Sequence, residues 1–196
     1  MNYEGAKKFI LNKLEKELDP RLTYHSLSHT LDVLESAIRL ADLEKRPAKE
    51  IMLLKTACLF HDSGMLITYR GHEEASISIC EETLPAFNYD KEDTNAVCRM
   101  IRTTKLPQCA MEVPDKILCD ADLDYLGRPD FFMIAHKLKY EWDILEIHPT
   151  TLHEWYLIQR DFLANHKYFT DSAINLRQSF KMENLSQIEF MCNHEK

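Results

Sequence analysis

The chain has 196 residues, of which 45% are hydrophobic, and only four glycines and seven prolines. That is enough for one domain with a buried core, and too few turn formers for an architecture of many short strands. A net charge of −8 disfavours nonspecific binding to nucleic acid or to an anionic membrane, although a bound metal ion would still let a small anionic substrate approach.

Hydrophobic spacing predicts helix almost throughout. A first helix runs from about Tyr3 to Leu18 and ends at Asp19-Pro20. It is amphipathic and carries charges along its length, unlike a leader peptide. A second runs from about Ser28 to Glu44, with Leu27, Leu31, Leu34, Ile38 and Ala41 as its core stripe. The third, about Ala48 to Asp62, contains IMLLKTACLF and is apolar on nearly every side, so it belongs in the middle of a bundle. Ser63-Gly64 ends it. Further helices are expected near 72–84, 89–104, 114–126, 129–146, 150–165 and 171–180, and the tail from Met182 is weakly patterned. No repeat, linker or apolar run of membrane-spanning length interrupts the pattern. The six cysteines form no CxxC pair and read as small core residues in a reducing compartment. The expectation is one all-α domain over residues 1–196, soluble and cytoplasmic, without membrane or nucleic-acid partners. Its core is expected at about 24–128, with C-terminal helices over 129–180 packed on it.

Three segments carry candidate chemistry. His25 and His29 are four residues apart and share a helical face with Val33 and Ala37. His61-Asp62 ends the buried third helix, where an aspartate is costly unless something pairs it. In Asp120-Ala121-Asp122-Leu123-Asp124, helix geometry puts Asp122 on the apolar stripe and Asp120 and Asp124 together on the opposite, polar side. The HxxxH pair, the buried HD and the inward Asp122 together offer nitrogen and oxygen ligands for one divalent ion. Mixed ligands of this kind suit Mn, Mg, Fe, Zn or Ni without a sharp choice. An open coordination position would let such an ion activate water for attack on phosphorus.

The order H…HD…D, in YHSLSHTLDV, LFHDSGM and LCDADLDYLG, resembles the HD superfamily of metal-dependent phosphohydrolases over roughly Tyr24 to Arg128. The resemblance implies an HD-domain helical bundle and metal ligation by His29, His61, Asp62 and Asp122. The opening Tyr-His-x-x-x-His is also similar to that of cyclic-nucleotide phosphodiesterases, which gives His25 the role of general acid. The chain lacks the long additional helices that form the base pocket in those enzymes. In HD relatives with two metals, extra histidines stand near His72, so His72 is a candidate ligand, acid or phosphate contact. Glu73 is a candidate for positioning water, or simply a helix-start carboxylate. Lys105 stands near a position where two-metal relatives have a histidine, which implies one metal, with Lys105 either a phosphate clamp or a solvated residue at a helix C-terminus. Arg128 is a further phosphate contact or a surface residue. The expected function is hydrolysis of a phosphomonoester or phosphodiester in a small, nucleotide-like substrate. The alternatives are an inactive HD module that senses nucleotides, or a non-phosphate HD hydrolase or oxygenase.

Overall fold

The computed structural model describes residues 1–194. Nine α-helices follow one another among these residues: α1 (Tyr3–Glu17), α2 (Leu27–Leu43), α3 (Ala48–Phe60), α4 (His72–Thr83), α5 (Lys91–Thr104), α6 (Val113–Asp122), α7 (Phe131–Ile144), α8 (Leu152–Asn165) and α9 (Asp171–His194). Short 3-10 turns lie over Ser63–Leu66, Leu84–Phe87 and Asp124–Gly127, and no strand occurs among the described residues. None of the described helices is long and apolar enough to cross a membrane.

Several helix starts coincide with side chains that satisfy free backbone N–H groups. Asn2 accepts from the Gly5 N–H at α1, and Asp90 from the Asp93 N–H at α5. Thr151 and Glu154 cap α8 reciprocally. Gly71 precedes α4 with φ of 74°, a left-handed conformation that glycine adopts without strain, and it turns the chain directly into His72.

The chain divides into two compact units. The first contains residues 1–19 and 25–122. Helix α3 is its centre, buried over Leu53, Leu54 and Thr56–Phe60, and packed by α1, α2, α5 and α6. Fully burying a side chain such as Leu54 or Phe60 contributes about 1.5–3 kcal/mol each. On α2 the buried face is His29, Thr30, Val33, Leu34, Ala37, Leu40 and Ala41. The expected stripe is therefore rotated, and Leu31 lies exposed. The histidine face is the inner one, because polar groups with partners can be buried as readily as leucines.

The second unit contains residues 20–24 and those from Leu123 onward. Its core gathers Tyr24, Leu126, Phe131, Trp155, Leu163 and Ile188. The Tyr24 ring meets Tyr125 edge-on at 5.7 Å, so the tyrosine of the YHSLSH segment is a core residue. Its backbone N–H donates to the buried Glu141 carboxylate at 2.8 Å. The expected helix over 114–126 stops at Asp122 and gives way to the 3-10 turn. This overturns the placement of Asp120 and Asp124 on a polar side, since each is only 1% exposed. Helix α6 is buried continuously from Ile117 to Ala121 and has no polar side there. Asp124 lies beyond the helix, where 100° spacing no longer applies. Its two oxygens accept from the Arg177 guanidinium at 2.7 and 2.9 Å. A Cβ on Gly127 would run into the Arg177 backbone, so glycine is what lets the turn lie against α9. Helix α9 itself continues to His194, well past the expected end at 180. Leu185 and Ile188 are buried at a spacing of three and anchor this extension, while Met182 and Phe190 lie exposed. The side chain of His194 lies outside the described residues. Cys58, Cys80, Cys98 and Cys119 are buried, Cys109 is exposed, and none of the six is in a disulfide.

In the second unit, neither ring nitrogen of His166 has a hydrogen-bond partner. Burial first, and the nearby Lys181 ammonium second, pull its pKa down to about 4. Below the ordinary histidine value the unfolded chain takes up a proton that the folded chain refuses. Stability is therefore full above about pH 6.5 and falls as the pH drops toward about 4, by on the order of 2–3 kcal/mol. Urea unfolding at about pH 7 and about pH 5 should show a smaller acid loss in His166→Phe than in the parent protein. Equal losses would show that His166 is not the group responsible.

Candidate metal centre

Helix ends deliver the candidate ligands and His72, all within the first unit. His29 is the third residue of α2, His61 follows the last residue of α3, Asp122 ends α6, and His72 begins α4. Because α3 is apolar on almost every side, it carries His61 (1% exposed) and Asp62 (7% exposed) into the interior. A carbonyl oxygen can only accept, so two backbone contacts fix the tautomers. His61 Nδ1 donates to the Cys58 carbonyl at 2.8 Å, and His72 Nδ1 donates to the Tyr69 carbonyl at 2.9 Å. Each imidazole is thereby left with Nε2 facing the other site groups.

Four of these groups converge. His29 Nε2 lies 3.1 Å from Asp122 Oδ1 and 3.5 Å from Asp62 Oδ2. His61 Nε2 lies 3.1 Å from Asp62 Oδ2 and 3.6 Å from Asp122 Oδ1. The two imidazole Nε2 atoms face each other at 3.3 Å. The ligand atoms of His29, His61 and Asp122 all lie within 4.8 Å of one another, close enough to hold a metal ion. Ligands bound at about 2.1 Å around one ion stand roughly 3.0–3.4 Å apart, and the five measured separations fall at or near that range. Asp62 Oδ2 is buried without a hydrogen-bond partner, and two ring nitrogens point at one another. Both features fit a divalent cation placed among them.

The electrostatics agree. Burial alone would lower the pKa of His61, but the Asp62 and Asp122 carboxylates outweigh it and raise it well above the ordinary histidine value. Burial would raise the carboxylates, yet His29 and His61 hold Asp122 at about 2, and His61, His72 and His25 hold Asp62 well below the usual range. For His72, burial is outweighed by Asp62, and its pKa rises to about 8. The pocket thus keeps its carboxylates ionised and demands positive charge, which protons on imidazole or a cation can supply.

Around this cluster, His72 Nε2 lies 3.3 Å from Asp62 Oδ1 and 3.9 Å from Glu73 Oε1. The His25 ring sits 5.4 Å from that of His72, 5.5 Å from Tyr69 and 6.3 Å from His29. Seven of the nine residues singled out in the sequence therefore come together: His25, His29, His61, Asp62, His72, Glu73 and Asp122. Lys105 follows α5 as an exposed residue, and no described residue engages its ammonium. Arg128 belongs to the second unit, where its guanidinium closes on Asp130 at 2.9 and 2.6 Å and approaches Asp124 at 3.6 Å. The orienting carbonyls of Cys58 and Tyr69 carry no sequence signal, because any residue supplies a backbone carbonyl.

The HD domain family model matches residues 26–124. No curated protein matches the chain. Among solved structures, a predicted HD superfamily hydrolase from an uncultured Thermotogales bacterium is similar at 22% identity and a TM-score of 0.60, covering 96% of this chain and 91% of that one. Bacillus subtilis YpgQ in complex with ADP is similar at 20% identity and a TM-score of 0.67, with 97% of each chain covered. A second crystal structure of YpgQ gives 18% identity and a TM-score of 0.65 over 99% of each chain. At these identities the structures share the fold.

Protons held by the imidazoles must leave when a cation enters. Titration of the metal-free protein with Mn²⁺ should release protons, seen as heats that differ between buffers of low and high ionisation enthalpy. Because His61 has a raised pKa, affinity should increase from about pH 6 to about pH 8. Identical heats in all buffers and pH-independent affinity would contradict the protonated state described above.

Proposed function

Because the chain belongs to the HD-domain family by its match over residues 26–124, we propose that it is a metal-dependent phosphohydrolase acting on a small phosphomonoester or phosphodiester. The observation that carries this reading is the set of His29, His61, Asp62 and Asp122, in which the two imidazole Nε2 atoms stand 3.3 Å from each other and 3.1–3.6 Å from an oxygen of each carboxylate. These four residues would hold one divalent ion. When bound there, such an ion supplies Lewis acidity at a phosphoryl oxygen and lowers the pKa of water.

The remaining roles fall to groups around that set. His25 lies beside His29 and His72 and is partly exposed, where it can give a proton to the leaving oxygen. Glu73 presents a largely buried carboxylate beside His72 Nε2 and accepts a hydrogen bond that orients the attacking water. His72, with its pKa at about 8, offers a charged donor to a phosphate oxygen at neutral pH. Lys105, with an ammonium that no described residue engages, is a second phosphate contact. Arg128 has its fork closed on Asp130, and we assign it no step. The structural neighbour crystallised with ADP supports a nucleotide-like substrate.

The decisive test is a screen of nucleotides and simple phosphoesters against protein loaded with each divalent metal. Turnover with at least one pairing is expected. Tight nucleotide binding without turnover under every metal would replace this reading with a nucleotide sensor. On an active substrate, His25→Ala should keep its metal yet lose about 10²–10⁴-fold in kcat. The loss should shrink for a nitrophenyl ester, whose leaving group needs little protonation. Equal losses for good and poor leaving groups would remove His25 from the role of acid. In Asp62→Ala, elemental analysis should find metal content far below stoichiometric. Unchanged metal content would remove Asp62 from the ligand set.

A further inference from the structure

Ser76 lies on the second turn of α4 and is fully buried. Its hydroxyl donates to the His61 carbonyl oxygen at 2.6 Å and accepts from the Gly64 N–H at 2.7 Å. Both partners are backbone groups of a helix end. The His61 carbonyl follows the last residue of α3, and the Gly64 N–H lies in the 3-10 turn that opens at Ser63. Neither group has a place in a regular helical ladder, and both would be left buried without this hydroxyl. The two bonds bracket Asp62 in sequence, one on each side.

The same turn touches α4 directly. A Cβ on Gly64 would run into the His72 carbonyl oxygen and would come within 2.7 Å of the Ser76 backbone nitrogen. Only a residue without a side chain lets the two backbones meet. From that first turn of α4, His72 reaches back so that its Nε2 stands 3.3 Å from Asp62 Oδ1. A closed circuit results, running from Asp62 through the turn backbone, across the Ser76 hydroxyl to α4, and back through His72 to Asp62.

We propose that Ser76 is a positioning residue of the metal centre: its hydroxyl pins the His61–Gly64 turn to α4 and so sets the placement of Asp62 relative to His61 and His72. It touches no ligand atom of the centre and acts through Asp62. This rests on the metal reading given under the proposed function. Glycine at 64 and serine at 76 work as one device, the first permitting the approach and the second locking it.

The test is calorimetric titration of the metal-free protein with Mn²⁺, which reads the centre without any substrate. The parent protein must bind Mn²⁺; if it does not, the metal reading itself fails, independently of Ser76. Given that binding, Ser76→Ala should weaken Mn²⁺ affinity by about 10–100-fold, and Ser76→Thr, which keeps the hydroxyl, should recover most of it. Leu14→Ala, which removes buried volume from α1, serves as a control for loss of stability alone and should bind Mn²⁺ as the parent does. Should Ser76→Ala prove unfolded without metal, Ser76→Cys replaces it, and its affinity should fall at least threefold below that of Leu14→Ala. Affinity in the Ser76 variant equal to that of Leu14→Ala overturns the proposal.

Discussion

A carboxylate carried into the interior on the end of an apolar helix must be met there by positive charge. Asp62 is in that position, and much of the first unit can be understood as an answer to it. Helix α3 is apolar on almost every side and is packed from several, so what stands at its C-terminal end is buried too. The imidazoles that face Asp62 need a fixed orientation, and the Cys58 and Tyr69 carbonyls provide it. The turn that bears Asp62 needs its own backbone groups satisfied, and the hydroxyl of Ser76 does so.

Buried aspartates elsewhere show what a settled case looks like. Asp124 is held by both arms of the Arg177 guanidinium. Asp115 accepts from Arg99 and from the Glu112 N–H. Their charges are matched by fixed cations in good hydrogen-bond geometry, which leaves nothing for a ligand to add. Asp62 and Asp122 differ in kind. Their opposing charge depends on histidines, whose protonation can be exchanged for a metal ion. That exchangeability separates a site from a structural ion pair.

The helical character of the chain and the positions of most helices were legible from periodicity, because long amphipathic segments leave a strong pattern. So were His29, His61, Asp62 and Asp122 among the residues that gather at the centre, since histidine and aspartate on apolar stripes are costly unless grouped, whereas His72 and Glu73 were raised only by the family resemblance. Three features were not legible. The phase of α2 was missed because its inner face mixes histidine and threonine with valine and alanine, while Leu31 points outward. The burial of Asp120 and Asp124 was missed because helical spacing cannot announce that a helix is covered on every side, or that it stops at Asp122. The extension of α9 beyond Met182 was missed because only a few buried residues, Leu185 and Ile188 among them, anchor it. Each error has one source: partners distant in sequence decide burial, and local pattern does not contain them.

The order in which helices begin and end at the centre has an electrical consequence. Helices α3 and α6 arrive with their C-terminal ends, at His61 and Asp122, while α2 and α4 arrive with their N-terminal ends, near His29 and at His72. A helix carries roughly half a unit of negative charge at its C-terminus and half a unit of positive charge at its N-terminus. The backbone alone therefore brings opposite partial charges to the pocket, negative at the ends of α3 and α6 and positive at the starts of α2 and α4. A metal–phosphate pair has the complementary polarity, cation at one end and anion at the other. Under the function proposed above, the backbone alone would favour the cation at the first pair of ends and the substrate phosphate at the second, before any side chain made a specific contact.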